Sequence, residues 1–210
     1  MVQFTIGYRA RFPEVCSKYL QPSIDNLEGE FFVIKEEEEA AISHNDFNLK
    51  NSPAKNYNNI IFKCETPYLI LCHEDVSFSK DLLQNIQDTI YLIPEFGMLG
   101  LVGCDKTGIN KWSDSKKVYT VDTLDSCFIV IRLDYGLKFN EKDFGGLHLY
   151  VEDYCARLNQ LGKTNHTILL KDDSYINHHS STWSTLGPAW GDYSEYKKVF
   201  NKLYPNTKTT

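Results

Sequence analysis

The chain predicts an α/β fold, a three-layer α/β/α sandwich on a mainly parallel central sheet. Three observations predict it. Strand-like and helix-like patterns alternate through the first half of the 210 residues, the order that builds βαβ units. Leu69-Ile70-Leu71-Cys72 is apolar without alternation, as expected of a strand covered on both faces. Apolar residues make up 42% of the chain, which is ample for a core. The length allows one large domain or two small ones, and no repeat or linker divides the sequence.

The elements follow in order. Val2 to Tyr8 reads as the first strand, and a loop with two guanidiniums, Arg9 and Arg11, follows it. Glu14 to Leu27 is compatible with a helix, with Pro22 expected to break or kink it. Phe31 to Ile34 is the second strand. The run Glu36 to Glu39 then reads as a solvated helix start, where the helix dipole favours acids. A polar stretch from Asn45 to Asn59 leads into a short helix, Tyr57 to Cys64. Tyr68 to Ser77 is the third strand and the turn beyond it. Ser79 to Thr89 reads as a helix capped by Ser79, with Leu82, Leu83 and Ile86 facing inward.

Met98 to Gly103 is a short strand, Gly108 to Lys117 a polar loop, and Val118 to Arg132 another strand region. Leu149 to Leu161 is an amphipathic helix stopped by Gly162. Asn165 to Ile176 is the last strand region and ends in Asn177-His178-His179. A tail helix spans about Tyr193 to Leu203.

Composition narrows the function. Asp and Glu number 28 against 22 Lys and Arg, which argues against a nucleic-acid partner, whose phosphates need basic side chains. Phosphate ligands remain compatible, because a bound metal can supply positive charge. The six cysteines form no C-x-x-C pair, and several lie in apolar runs, so they read as reduced, buried thiols. The sequon Asn165-His166-Thr167 reads as a chance match. The N-terminus reads as a strand rather than a leader, and no apolar run approaches the ~20 residues of a membrane span. A soluble, cytoplasmic protein is expected.

The chemistry concentrates at element ends. His73-Glu74-Asp75 terminates an apolar strand, and in open α/β sheets ligands bind beyond the carboxyl ends of strands. His73 and Asp75, two residues apart, point the same way on an extended chain. Glu152-Asp153 and His178-His179 are two further clusters at places where elements deliver residues to one edge. Imidazole and carboxylate ligands suit Mn²⁺, with Mg²⁺ as an alternative. Such an ion neutralises a diphosphate, and a nearby carboxylate can take a proton from an attacking hydroxyl.

Four stretches carry a resemblance: YNNIIFKCETPYLILCHEDV, TLDSCFIVIR, FGGLHLYVEDYCARLNQLGK and INHHSS. In this order they resemble the GT-A type nucleotide-sugar glycosyltransferases, in the family 2-like branch that reads H-x-D in place of D-x-D. The resemblance spans about residues 2 to 181. It implies a single domain over 1–210, with a nucleotide-binding half (1–105) and an acceptor-binding half (106–210). It implies transfer from a UDP-sugar to a hydroxyl acceptor, a glycan for example, with inversion and with a divalent metal.

Carried over residue by residue, it implies Asp75 as the main metal ligand and His178 as the second, with His179 the lesser choice. His73 would share the metal or face the ribose beside Glu74. Tyr8 and Arg9 would border the nucleotide, Glu36 would lie near the base, and Asn58 would belong to the nucleotide-side helix. Asp153 would be the general base, with Glu152 as its alternate. Asp125 and His148 would sit by the donor or acceptor sugar. Trp112 is a candidate sugar platform, as are Trp183 and Trp190. Three places depart from the commoner pattern: His73, an imidazole where D-x-D has its first carboxylate, Ser126 where Gly is usual, and Val151-Glu152-Asp153 where the branch often has Asp-x-Asp. Two other readings stand beside this one, a nucleotidyltransferase and a non-catalytic binding domain on the same fold.

Overall fold

The computed structural model describes residues 2–37, 52–146, 148–179 and 193–209. The elements in chain order are β1 (Phe4–Ala10), α1 (Pro13–Lys18), α2 (Leu20–Asp25), β2 (Phe31–Glu37), α3 (Pro53–Lys63), β3 (Tyr68–Cys72), β4 (Val76–Phe78), α4 (Leu82–Leu92), β5 (Phe96–Gly100), β6 (Val102–Cys104) and β7 (Asn110–Trp112). They continue with β8 (Thr120–Val121), β9 (Thr123–Leu124), β10 (Phe128–Arg132), α5 (Tyr150–Gln160), β11 (Thr164–Thr167), β12 (Ile176–His178) and α6 (Tyr193–Leu203).

The main sheet has seven strands in the order β2-β1-β3-β10-β5-β11-β8. β1 pairs in parallel with β2 and β3, and β5 with β11; β10 runs antiparallel to both its neighbours, and β8 runs antiparallel to β11. Five of the seven strands therefore point one way, as the apolar strand pattern predicts. Because β10 lies between β3 and β5, the second half of the chain is woven into the sheet of the first.

Side-chain alternation divides the core into two layers. Phe4, Ile6, Ile70, Cys72, Phe128 and Val130 face the layer holding α1, α2 and α4. Their neighbours Leu69, Leu71, Ile129 and Ile131 face α3, α5 and α6, where Tyr57, Ile60, Tyr154 and Phe200 are buried. Gly7 explains one close approach: a Cβ there would meet Ile60 Cγ2 at 2.5 Å, so only glycine lets α3 lie this near β1. Gly162, at φ +75°, ends α5 as the sequence predicts.

Several boundaries differ from the sequence pattern. The first helix breaks at Tyr19, not at Pro22. Pro22 sits in the first turn of α2, where its missing N–H costs no intrahelical bond. α3 begins earlier than expected, because Ser52 caps it, accepting from the Lys55 amide at 3.3 Å, and Pro53 follows. Ser79 does not cap α4, which starts at Leu82; its hydroxyl accepts from the Tyr175 amide instead. Glu36 belongs to β2 rather than to a helix start, with Arg9 opposite it on β1. Glu38 and Glu39 lie outside the described residues. The polar loop expected over 108–117 contains β7, paired with β6.

Asn165 of the sequon is fully buried, and its amide donates to the carbonyl oxygens of Asp122 and Cys155. It is therefore closed to modification in the folded chain. No described helix is long and apolar enough to cross a membrane.

Candidate metal and nucleotide site

The site begins where β3 leaves the sheet. Cys72 still pairs with Phe128 on β10, and the His73 amide donates to the Cys127 carbonyl at 2.9 Å. The chain then turns, with the Val76 amide reaching the His73 carbonyl, and enters β4. Two hydrophobic strand ends thus hold a turn whose three side chains are ionisable. β4 pairs antiparallel with β12, with His178 opposite Val76. The His179 amide also donates to the Asp75 carbonyl at 2.9 Å. Backbone pairing of residues about a hundred positions apart therefore delivers His178 to the turn.

The result is a cluster of His73, Asp75 and His178 whose ligand atoms all lie within 4.8 Å of one another. Asp75 is fully buried, and its Oδ1 lies 3.4 Å from His178 Nε2. Asp125, Cys127 and His178 form a second set of the same tightness, so His178 belongs to both.

The donors fit a divalent ion. Metal–nitrogen and metal–oxygen bonds of about 2.0–2.3 Å put ligand atoms at most about 4.6 Å apart, close to the observed spread. His178 Nε2 is buried and makes no hydrogen bond of ordinary geometry among the described residues. Burial and the neighbouring His178 push His73 down to about 4, against the pull of Asp75 and Asp125, so its ring is neutral at pH 7 and its lone pair is open to a ligand. Burial opposes charge on His178 too. The 3.4 Å contact with Asp75, the charge of that carboxylate and that of Asp125 outweigh burial and raise the pKa.

Glu74, between the two ligands in sequence, turns the other way. Its Oε2 accepts from the amides of Arg11 and Phe12 at 2.8 and 2.9 Å and so fixes the loop after β1. That oxygen serves as a positioning contact. Arg9, on the same segment, lies close enough to His73, Tyr57 and Tyr150 for its charge to bear on all three. His179 stacks on Tyr19 at 4.1 Å between ring centroids, and its Nε2 is 2.8 Å from Ser77 Oγ. It ties β12 to α1 and β4.

Tyr8 points into the core, where burial and the Cys16 thiol hold its hydroxyl up at about 12. Glu36 is paired with Lys63. The Asn58 amide is used on both sides, donating to the Phe139 carbonyl and to Glu141 and accepting from the Phe139 amide, so it stitches α3 to the 139–141 segment.

Asp153 is fully buried at the start of α5. One oxygen accepts from Arg157 Nε at 2.9 Å and the other from the Tyr204 hydroxyl at 2.7 Å. That geometry locks α5 to the chain after α6. Glu152, beside it, is also buried. Asp125 uses one oxygen to accept from the Cys127 amide at 2.8 Å. His148 packs edge-on against Tyr193. Trp112 is 57% exposed. Trp183 and Trp190 lie outside the described residues.

Cys127 is the ligand-type residue that the sequence reading passed over. Its signal was position, one pairing step from the strand that carries His73.

No protein-family model matches this sequence, and no curated protein matches it. Solved structures do. S. aureus TarS 1-349 in complex with UDP-GlcNAc is similar with a TM-score of 0.60 at 15% identity, over 100% of this chain and 68% of that one. GalNAc-T7 with UDP, GalNAc and Mn²⁺ gives a TM-score of 0.63 at 9% identity, over 100% of this chain and 55% of that one. The mannosyltransferase PcManGT from Pyrobaculum calidifontis, in complex with GDP-Man and Mn²⁺, gives 0.54 at 9% identity, over 80% of this chain and 55% of that one.

The chain has the GT-A fold.

Its structural neighbours are glycosyltransferases, and it spans between 55% and 68% of their lengths in these three comparisons. At such identities the likeness is one of fold, and chemistry has to be argued from the site.

Proposed function

We propose that this chain is a metal-dependent glycosyltransferase that moves a sugar from a UDP-sugar to a hydroxyl acceptor such as a glycan, with inversion. The observation that carries the reading is the His73–Asp75–His178 cluster at the carboxyl end of β3 on a GT-A fold. Neighbours solved with UDP, UDP-GlcNAc, GDP-Man and Mn²⁺ support it.

Asp75 and His178 would hold Mn²⁺, or Mg²⁺, with His73 as a third ligand or against the ribose. The ion, when bound, would supply positive charge against the diphosphate. Arg9 would add a guanidinium on the β1 side, and Glu74 would keep that loop in place through the Arg11 and Phe12 amides. Residues 1–105 would contribute most of the nucleotide site and 106–210 the acceptor site. Asp125 and His148 would stand on the sugar side. The six thiols are all unpaired, which suits a reducing, cytoplasmic setting.

For the base, Glu152 is favoured over Asp153. A carboxylate whose two oxygens already accept from Arg157 and Tyr204 would have to give up a buried bond to take a proton. Glu152→Gln should abolish transfer while leaving UDP binding and folding intact. The same closure of Asp153 favours a second reading, a GT-A domain that binds nucleotide-sugar without transferring it. Retained transfer in Glu152→Gln would remove Glu152 from the mechanism.

The deciding experiment is calorimetric titration with UDP, GDP and CMP, each with and without Mn²⁺. Binding of UDP that needs Mn²⁺ and is lost in Asp75→Ala supports the site. Absence of binding by any nucleotide overturns the transferase reading. UDP-dependent binding with no turnover of any UDP-sugar would leave the binding-domain reading.

A further inference from the structure

Asp125, Cys127 and His178 carry a second donor set, which the proposed transfer chemistry does not use as a unit. Their ligand atoms all lie within 4.8 Å of one another, the same bound that His73, Asp75 and His178 meet. The two sets differ in the softness of their donors. The first offers two imidazoles and a carboxylate. The second has a thiol in place of one imidazole.

Backbone pairing builds this set from three directions. The Asp125 amide donates to the Val102 carbonyl at 2.9 Å, and Asp125 Oδ1 accepts from the Cys127 amide at 2.8 Å. That Asx turn fixes residues 125 and 127 just before β10. The Cys127 carbonyl accepts from the His73 amide, which ties the turn to the end of β3. His178 arrives through the pairing of β12 with β4. Cys127 is 1% exposed, whereas Asp125 and His178 are half-buried. An ion entering from solvent therefore meets the carboxylate and the imidazole before the thiol.

Donor chemistry decides which ion suits the set. Thiolate sulfur selects zinc-class ions, whereas Mg²⁺ and Mn²⁺ favour oxygen. Zn²⁺ takes sulfur at about 2.3 Å and imidazole nitrogen or carboxylate oxygen at about 2.0–2.2 Å, and with three protein ligands it keeps its fourth position for water. Asp125 spends Oδ1 on the Cys127 amide, and its carboxylate keeps a second oxygen for an ion. On binding, the Cys127 S–H bond breaks, the S–Zn bond forms and the proton passes to solvent.

His178 makes the two sets exclusive. A neutral imidazole has one free lone pair, because its other nitrogen carries hydrogen, so it ligates one ion at a time. We propose that Asp125, Cys127 and His178 form a site for a thiophilic divalent cation of the zinc class, and that an ion held there shuts out Mn²⁺ by taking His178. The site stands on its own donor atoms and does not need the transferase reading.

The probe is Co²⁺, which on thiolate coordination gains a near-ultraviolet charge-transfer band that nitrogen and oxygen ligands do not produce. The reduced full chain is titrated as native protein, Cys127→Ser, Asp125→Asn and Asp75→Asn, with thermal melts to check folding. Separately, Zn²⁺ is added to the Mn²⁺-loaded proteins and released Mn²⁺ is followed by electron paramagnetic resonance. Asp125→Asn keeps the oxygen that holds the Cys127 amide, so it serves as the test should Cys127→Ser fail to fold.

The expected result is a saturable thiolate band in the native protein that persists in Asp75→Asn and is abolished in Cys127→Ser. In Asp125→Asn the Co²⁺ affinity should fall at least about tenfold, since even outer-shell changes at metal sites cost 10–100-fold. Zn²⁺ should release Mn²⁺ from the native protein, and Cys127→Ser should need about tenfold more Zn²⁺ while binding Mn²⁺ alone as the native protein does. Absence of the band, its survival in Cys127→Ser, or an unchanged Co²⁺ affinity in Asp125→Asn overturns the site. Mn²⁺ that stays bound at saturating Zn²⁺ overturns the exclusion. A native protein that shows the thiolate band but binds no Mn²⁺ overturns the metal-dependent transferase reading and leaves this site standing.

Discussion

Asp75 and Asp153 are both carboxylates with no exposed surface, and the sequence marks both as candidates for chemistry. Their surroundings differ in kind. Asp153 has a hydrogen-bond donor on each oxygen, Arg157 from its own helix and Tyr204 from the chain after α6. Asp75 faces two imidazoles, one of them held neutral by burial, and the nearest His178 nitrogen is 3.4 Å away without an ordinary hydrogen bond. The first carboxylate is closed by an arginine and a tyrosine, and the second shares a cluster with two imidazoles at a spacing that an ion fits. Burial alone therefore does not separate a structural acid from a functional one; what occupies its lone pairs does.

That contrast is most easily broken by removing each acid in turn. Asp153→Ala leaves Arg157 and Tyr204 facing an empty pocket and should lower stability by about 3 kcal/mol, read by urea unfolding. Asp75→Asn should weaken Mn²⁺-supported UDP binding by about 100-fold or more, since even outer-shell changes at metal sites cost 10–100-fold. If that binding survives Asp75→Asn, the distinction between a structural and a metal-side carboxylate fails.

Glu74 offers a sharper version, because it lies between two metal-side residues and behaves like Asp153. Its Oε2 holds two backbone amides, so Glu74→Ala should cost about 2 kcal/mol, the scale of hydrogen bonds to a charged group. It should also loosen the Arg9 segment and raise the dissociation constant for UDP without altering metal binding measured alone. Loss of metal binding in this variant would make Glu74 a ligand rather than a brace. Tyr204→Phe removes one neutral donor from Asp153 and should cost only about 1 kcal/mol. A loss as large as that of Asp153→Ala would assign the whole closure to Tyr204.

The same residues show what the sequence could carry. The β3 turn was legible because a strand buried on both faces runs directly into His73-Glu74-Asp75, and few structures but a site justify that order. The sheet was legible for the same reason: Leu69 to Cys72 need cover on both sides, and both helical layers supply it.

Asp153 accepts from Tyr204, 51 residues away and brought to it only when α6 packs Phe200 into the core, a contact that the sequence pattern does not show. Its i, i+4 partner Arg157 was visible in the sequence and pointed to a structural pair. Tyr8 follows the strand alternation that buries Phe4 and Ile6, so its inward direction was also readable. Asn58 and Glu74 were not: an amide or a carboxylate at an element end looks the same whether it meets a ligand or another loop's backbone.

The smallest effect separates the two imidazoles by pH. In the metal-free protein His178 has a raised pKa, so its contribution to stability is fully present below its unfolded value of 6.5 and is lost as pH rises through the folded value. His73 is held down at about 4, so its contribution runs the other way: present above 6.5 and lost as pH falls toward 4. The two windows adjoin at 6.5 and do not overlap. Stability should therefore rise with pH from about 4 to 6.5 through His73 and fall above 6.5 through His178, and His178→Ala should remove the fall above 6.5.

Mn²⁺ adds its own pH dependence, because it competes with the proton on both rings and binds only their neutral forms. The melting temperature gained on adding Mn²⁺ should fall continuously as pH drops below about 7, first through His178. A gain from Mn²⁺ that stays constant down to pH 5 would mean that His178 is not a ligand, and the pairing of Asp75 with His178 would then serve something other than a metal.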